Sequence, residues 1–367
     1  MELDKDPSSK KTAPITPSVG FDSPCAVLGW DIGGAHLKVV LLDPTGHPVQ
    51  ALCYPFALWK QPDKLAACLA ALACRFPPAA IWAVTMTGEL CDCFPTKRAG
   101  VAAILNAVLQ AAGSAAVWVW STTGRFVTPE MACQDPLRVA AANWHALATA
   151  AASRWAPEGP ALLWDTGSTT TDLIPLLNGR PCPTGWTDWE RLRTGELIYR
   201  GIRRTPLCVL MPQQTCAEWF ATTLDLFLIL GDLPADTHDT DTADGRPATV
   251  PDAYARLARL IGADSETVHP DFLHRLATQL TQRLEQELAD AFLQVCQQPA
   301  FAQHPQTILL SGSGEFLARR VCQRLIERLP ACPRLVSLGQ CMGPTLSTTA
   351  PAWAVATLAA TSPLVSS

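Results

Sequence analysis

The strongest constraint on how this chain folds is a hairpin that occurs twice. In Leu163-Trp164-Asp165-Thr166-Gly167-Ser168-Thr169-Thr170-Thr171-Asp172 an apolar run delivers an aspartate and a glycine into a turn crowded with hydroxyls. A second aspartate follows seven residues after the first. Leu28-Gly29-Trp30-Asp31-Ile32-Gly33-Gly34-Ala35-His36-Leu37-Lys38 carries the same Asp-x-Gly turn 134 positions earlier. Each copy continues through an apolar stretch (residues 39–42 and 173–177) into a second turn, Asp43-Pro44-Thr45-Gly46 in one and Asn178-Gly179 in the other. Such turns between apolar runs are hairpin signals. The repeat predicts an α/β chain built from a duplicated core.

The turns themselves suit phosphate. Glycine lets the backbone approach a ligand closely, and Ser/Thr residues add N–H and hydroxyl donors. Gly33, Gly34 and Lys38 in the first turn, and Gly167, Ser168, Thr169 and Thr170 in the second, are candidate phosphate-binding residues. Asp31 and Asp165 are candidate ligands for Mg²⁺, which pairs carboxylates with phosphate oxygens. A third apolar strand (residues 307–310) runs into Ser311-Gly312-Ser313-Gly314 and then a helical stretch. Gly312, Ser313 and Gly314 thereby form a further anion turn at a helix N-terminus. A strand at residues 80–85 empties into Met86-Thr87-Gly88-Glu89-Leu90-Cys91-Asp92. Glu89 and Asp92 then lie at the C-terminal end of a strand, where ligands gather in α/β sheets, although a carboxylate there also serves simply to cap the next element.

At 367 residues the chain has room for two domains. The predicted division is a disordered lead-in at 1–24, a first domain at 25–156 and a second at 161–367, with an inserted polar loop near 231–250. A net charge of −5 argues against a nucleic-acid binder, and no apolar stretch is long enough to span a membrane. The fourteen cysteines are scattered, without CxxC pairs or an export signal, which fits reduced thiols in a cytoplasm. Helices are expected at 136–155 and 217–230, the first carrying His145 as a packed or surface residue rather than a catalyst. Arginines following the second hairpin, among them Arg191, Arg203 and Arg204, read as anion binders or as a salt-bridged face.

These motifs resemble the actin, sugar-kinase and heat-shock-chaperone superfamily, whose two ribonuclease-H-like domains face each other across a nucleotide cleft. Asp31-Ile32-Gly33-Gly34 looks like its first phosphate loop, residues 165–170 like its second, and Ser311-Gly312-Ser313-Gly314 like its adenosine loop. Within it the chain resembles the hydantoinase/oxoprolinase-related group. The strings GWDIGGAHLK, TMTGELCDCF, AANW, DTGSTTTDLIPL, RLRTGELIYRGIRRTP and DTADGRP are similar to the methanofuran-biosynthesis synthases, whose relatives accompany tetrahydromethanopterin-linked one-carbon transfer in methylotrophic bacteria.

The resemblance implies a Mg²⁺-assisted condensation of (5-(aminomethyl)furan-3-yl)methyl diphosphate with the phenol of γ-glutamyltyramine, releasing diphosphate. It implies small-molecule substrates, with a homodimer left open. The departing diphosphate needs electrostatic stabilisation, and the phenol, with an ordinary pKa of about 10, benefits from a carboxylate base. Glu89, Asp92 and Asp172 are the candidates for that base. The phosphate turns alone suit equally an ATP-dependent kinase or an oxoprolinase-like hydrolase. A non-catalytic nucleotide sensor is a third reading, which the costly carboxylates at Asp31, Asp165 and Asp172 disfavour.

Overall fold

A computed structural model describes residues 25–298, 304–326, 329 and 331–362; the lead-in expected at residues 1–24 lies outside them. β1 (Cys25–Ile32), β2 (His36–Leu42), β3 (Pro48–Pro55), β4 (Ala79–Met86), β5 (Ala116–Ser121) and β6 (Arg125–Val127) make one sheet in the order β3-β2-β1-β4-β5-β6. β7 (Pro160–Thr166), β8 (Thr171–Leu177), β9 (Arg180–Pro181), β10 (Leu197–Ile198), β11 (Thr307–Ser311) and β12 (Arg334–Ser337) make the other, in the order β10-β8-β7-β11-β12, with β9 also on β8. In each, an antiparallel hairpin (β1–β2, β7–β8) is extended by two parallel strands (β4–β5, β11–β12). Two ribonuclease-H-like sheets thus face a central cleft, as the repeat predicts.

The central strands read as continuous apolar runs because both faces are covered. α1 (Leu65–Ala73), α2 (Lys97–Ala112) and α3 (Pro129–Gln134) cover the outer side of the first sheet, where Leu28, Trp30 and Ile32 point. α4 (Asn143–Trp155) lies between the sheets, and α5 (Asp188–Thr194) borders the cleft. α6 (Thr223–Ile229), α7 (Val250–Leu260), α8 (Pro270–Cys296) and α9 (Glu315–Ile326) cover the outer side of the second sheet, taking up Leu162 and Trp164. α10 (Leu338–Met342) and α11 (Pro344–Thr348) lead into α12 (Ala350–Ala360). Although α12 falls in the sequence range 161–367, it returns to pack on β1, β2 and α4. One core therefore ties the halves together, joining Val27 and Leu42, Leu163 and Ile174, Leu147 of α4 and Trp353 of α12.

Gly29 makes that close return feasible. A Cβ there would lie 2.2 Å from the Ala352 carbonyl oxygen and 2.7 Å from the Ala356 Cβ. Gly29→Ala is expected to lower the stability of the fold by roughly 1–3 kcal/mol through overpacking against backbone. Urea unfolding checks it, as an earlier midpoint with an unchanged slope.

Two expected helices are shorter than the sequence suggests. The stretch at 136–155 breaks: a 3-10 turn at Pro136–Arg138 is followed by Ala141 at φ 48°, and α4 starts only at Asn143. That break turns Ala141 and Asn143 toward the cleft. In the stretch at 217–230 only Thr223–Ile229 is helical, because Thr222 and Asp225 close a capping box that fixes the start. The polar loop at 231–250 is pinned. Asp239 and Asp241 take Arg203 and Arg204, while Asp244 collects Arg246, Arg256 and Arg259. Arg256, fully buried, also pairs with the buried Asp225 at 2.7 Å. The salt-bridged reading of Arg203 and Arg204 is the one the structure supports. The cysteines from Cys53 to Cys341 are free thiols, and among the described residues no helix is long and apolar enough to cross a membrane.

Candidate active site

The duplicated hairpins repeat atom by atom at their turns. In the first, the Gly33 N–H donates to the His36 carbonyl at 3.0 Å; in the second, Gly167 N–H donates to Thr170 at 2.9 Å. The aspartate before each turn faces the residue seven positions on across the ladder: Asp31 opposite Lys38, Asp165 opposite Asp172. Here the two halves diverge in charge. Lys38 bonds Asp31 directly at 3.1 Å, its ammonium form held by that carboxylate against the pull of burial. Asp165 instead faces a like charge, and burial together with Asp172 pushes its carboxyl up to about 7.

Asp172 is held by Arg191 of α5, Nη2 to Oδ1 at 2.6 Å. The guanidinium is 1% exposed, donates also to the Glu196 carbonyl at 3.1 Å, and lies 4.0 Å over the Trp144 ring. Burial still keeps Asp172 above its ordinary carboxylate value, with Arg191 opposing. α5 is fixed by its Thr187/Glu190 capping box and ends at Gly195 in the left-handed region. Glu196 staples the preceding loop by accepting from the N–H groups of Thr184 and Gly185.

The second turn is clamped from behind. The N–H groups of Arg203 and Arg204 both donate to the Ser168 carbonyl, and that of Ile202 to Gly167. The Ser168 and Thr169 amides find no backbone acceptor among the described residues, leaving a concave row of donors suited to an anion. Behind it, Gly314 N–H donates to the Thr166 carbonyl at 2.8 Å, seating the N-terminus of α9 against the same turn.

These elements enclose a cleft of about 520 Å³. Of the residues expected to bind phosphate, Lys38, Gly167, Ser168, Thr169, Thr170, Gly312 and Ser313 line it. Asp165, Asp172 and Glu89 line it as well. Gly33, Gly34 and Gly314 do not. Gly33 closes its own turn, a Cβ on Gly34 would meet the Cys91 sulfur at 2.8 Å, and one on Gly314 the Thr166 methyl at 2.4 Å, so these glycines serve packing. Asp31 lies beneath the surface, one oxygen on Lys38 and the other buried without a partner. Asp92 is exposed and outside the cleft, which removes it as a base for chemistry there.

Glu89 is the most unusual group. It sits on a 3-10 turn (Gly88–Leu90) against which α2 packs so tightly that a Cβ on Gly100 would come within 2.3 Å of its carbonyl. Its side chain is 1% exposed and neither carboxylate oxygen has a hydrogen-bond partner. Burial pushes its carboxyl up to about 7. Nearby, Lys97 of α2 reaches Asp188 of α5 at 3.3 Å, an ion pair that joins the two halves at the rim of the cleft. His145 is a packed residue. It accepts from Trp120 Nε1 at 3.2 Å, lies against Trp186, and burial drives its pKa down to about 4.

Sequence reasoning missed Asp188, Tyr199 and Trp144 as parts of the cleft, all of which line it. Trp144 and Tyr199 lie in the strings AANW and RLRTGELIY, with Asp188 three residues before the second, but only the fold brings them together.

A hydantoinase/oxoprolinase family model matches residues 81–198, the stretch from β4 through α4 and both strands of the second hairpin to β10. Along 340 residues, 90% of this chain and 97% of the relative, the sequence is 29% identical to the (4-{4-[2-(gamma-L-glutamylamino)ethyl]phenoxymethyl}furan-2-yl)methanamine synthase of Methanocaldococcus jannaschii. The synthase of the same name from Methanococcus vannielii is 27% identical over 205 residues, 54% of this chain and 89% of that protein. Among solved structures, a ROK family glucokinase from Streptomyces griseus in complex with glucose and AMPPNP covers 90% of this chain and 98% of its own, at 11% identity and a TM-score of 0.48.

Proposed function

We propose that this protein is a transferase that condenses (5-(aminomethyl)furan-3-yl)methyl diphosphate with the phenol of γ-glutamyltyramine, releasing diphosphate. Similarity along nine-tenths of the chain to a synthase whose name describes that phenoxymethyl ether supports the reading. The observation that carries it structurally is the charge layout of one cleft. Backbone N–H donors, Ser168 and Lys38 line it together with the carboxylates Glu89, Asp172 and Asp188.

The diphosphate lies on the Ser168–Thr170 turn and against Gly312 and Ser313, with Lys38 supplying positive charge. As the furfuryl C–O bond breaks, these groups stabilise the charge gathering on the departing oxygen. The phenol oxygen bonds to the furfuryl methylene carbon, and its proton passes to Glu89. That carboxyl, unpartnered and raised to about 7, is partly ionised at neutral pH and basic enough to take it. The donor set also fits Mg²⁺. Asp165 is a cleft carboxylate with no cation bonded to it, and no cluster of three or more His, Cys, Asp or Glu side chains forms a cage among the described residues, so phosphate oxygens would complete the shell. Bound there, the ion would neutralise diphosphate charge. The setting proposed is the cytoplasm, in furan-cofactor synthesis for one-carbon metabolism.

The reaction is tested by incubating the protein with both substrates and Mg²⁺. Diphosphate should appear only when the phenol is present, and ATP should not replace the furan diphosphate. Release of diphosphate without any need for the phenol would sink the proposal.

Glu89 carries its own prediction. For the free enzyme, kcat/KM should fall below about pH 7 as Glu89 gains its proton, and Glu89→Gln should lose that limb along with about 10²–10⁴-fold in rate. The stability effect runs the other way. A carboxyl raised from 4.5 to about 7 leaves full stability at low pH and withdraws it as pH rises through 7. Glu89→Gln should therefore be the more stable protein at pH 8, by about 3 kcal/mol, with no gain below pH 4.5. Thermal melts at the two pH values check it.

A further inference from the structure

We propose that Asp172, Asp188 and Glu89, with the ring of Tyr199, form a subsite for a primary ammonium group, and that it receives the aminomethyl group of the furan donor. The inference rests on the reaction proposed above for the identity of the donor. The existence of the subsite rests on the half-engaged carboxylates and the buried Glu89 that share one cleft.

Two of the carboxylates are held half-engaged. Arg191 takes Oδ1 of Asp172, and Lys97 takes Oδ2 of Asp188. The remaining oxygen of each accepts no hydrogen bond among the described residues, and both side chains keep part of their surface on the cleft, 16% and 19%. Each cation fixes its carboxylate in place and leaves one oxygen for a ligand. Tyr199, half exposed, lines the same cleft, and burial together with the charges of Asp188 and Asp172 opposes ionisation of its hydroxyl. An aromatic face next to two carboxylates suits a cation.

Glu89 supplies the independent observation. It is 99% withdrawn from solvent, lines the same cleft, and has two carboxylate oxygens to which no side chain donates. Burial, with the charge of Asp188 nearby, raises the cost of ionising Glu89. Three carboxylates line this part of the cleft, and two of them are already paired, with Arg191 and Lys97, through one oxygen each. An alkylammonium brings one charge and three N–H donors. Its arrival would also favour the ionised form of Glu89, readying the base only when the donor is in place.

Position selects the donor as its source. Asp172 stands directly across the β7–β8 ladder from Asp165 at the phosphate turn, a Cα separation of about 5 Å. A molecule bearing diphosphate and ammonium on one small ring matches that spacing. The acceptor carries its ammonium at the far end of a glutamyl chain, many bonds from the phenol oxygen that reacts.

Equilibrium binding of 2-(aminomethyl)furan and of 2-methylfuran to the full chain tests the subsite without requiring turnover. The amine should bind more tightly by on the order of 10–100-fold. Asp188→Asn should erase most of that preference, and Tyr199→Leu part of it. Lys97→Met, which breaks the cross-cleft pair but keeps the carboxylate, should retain it. Equal binding of the two furans, or an unchanged preference in both Asp188→Asn and Tyr199→Leu, would overturn the subsite. With both substrates, Asp188→Asn should raise KM for the donor and leave KM for the glutamyl acceptor as it was. If instead the enzyme stops distinguishing γ-glutamyltyramine from its des-amino glutaryl analogue, the ammonium belongs to the acceptor and the donor assignment fails. Absence of any ether from the wild-type protein would defeat the reaction, with the binding comparison still deciding the subsite.

Discussion

An Asp165→Asn protein should fold as the parent does and lose about 10²–10³-fold in kcat, the scale seen when one preorganised electrostatic contact to a developing charge is removed. Asp165 ends the central strand of the second sheet, faces the cleft, and has no lysine bonded to it as Asp31 has. Its carboxyl is held near 7 by burial and by Asp172, so asparagine removes an unfavourable charge as well as a useful one. The sign follows: stability of the parent is lost as pH rises through about 7, and the variant should melt higher at pH 8 than the parent. Circular dichroism with steady-state rates across a Mg²⁺ titration checks both halves. A variant as active as the parent would show that the Asp165 turn does not hold the leaving group.

Gly312→Ala is expected to have the largest structural effect. Gly312 has φ 86°, where an L side chain is strained. A Cβ there would lie 2.2 Å from the Thr166 carbonyl oxygen and 2.6 Å from Asp165 Oδ1. The Thr166 carbonyl is also the acceptor for Gly314 N–H, so moving it would unseat α9. The expected cost is roughly 2–4 kcal/mol of stability, with activity falling below detection even where the variant folds. Urea unfolding and product formation under folding conditions are the two measurements.

Much of the fold was legible because duplication announces itself locally. The Asp-x-Gly turns at Asp31 and Asp165 lie within short windows, and strand patterning gave the sheets around them. The second turn's place in the cleft was legible for the same reason, since Gly167 to Thr170 are contiguous. What was hidden depends on long-range packing. The return of α12 to the first sheet leaves no local mark except the small side chains of α12 and Gly29. The break before α4 was hidden because alanines suit a helix, whereas the tertiary structure puts Ala141 at positive φ. The roles of Gly33 and Gly34 were misread because a glycine that relieves packing and one that admits phosphate look alike in sequence. Glu89 and Asp92, three residues apart, were indistinguishable as letters. Burial of one and exposure of the other separate them. The pairing of Asp188 with Lys97 crosses the cleft and 91 positions of sequence, beyond the reach of any local pattern.

The charge difference between the hairpins is the part of the account with the widest reach. The two hairpins share their turn geometry while placing Lys38 opposite one aspartate and a carboxylate opposite the other. In the proposed reaction that asymmetry serves a substrate that is anionic at one end and cationic at the other.

The central claim is that the phenol oxygen becomes the ether oxygen as diphosphate leaves. The most direct measurement supplies γ-glutamyltyramine labelled with ¹⁸O at the phenol, together with the furan diphosphate, and weighs the products by mass spectrometry. The account predicts an ether that retains the label and one unlabelled diphosphate for each ether formed. An ether without the label, or diphosphate released with the furan recovered only as its alcohol, would contradict it.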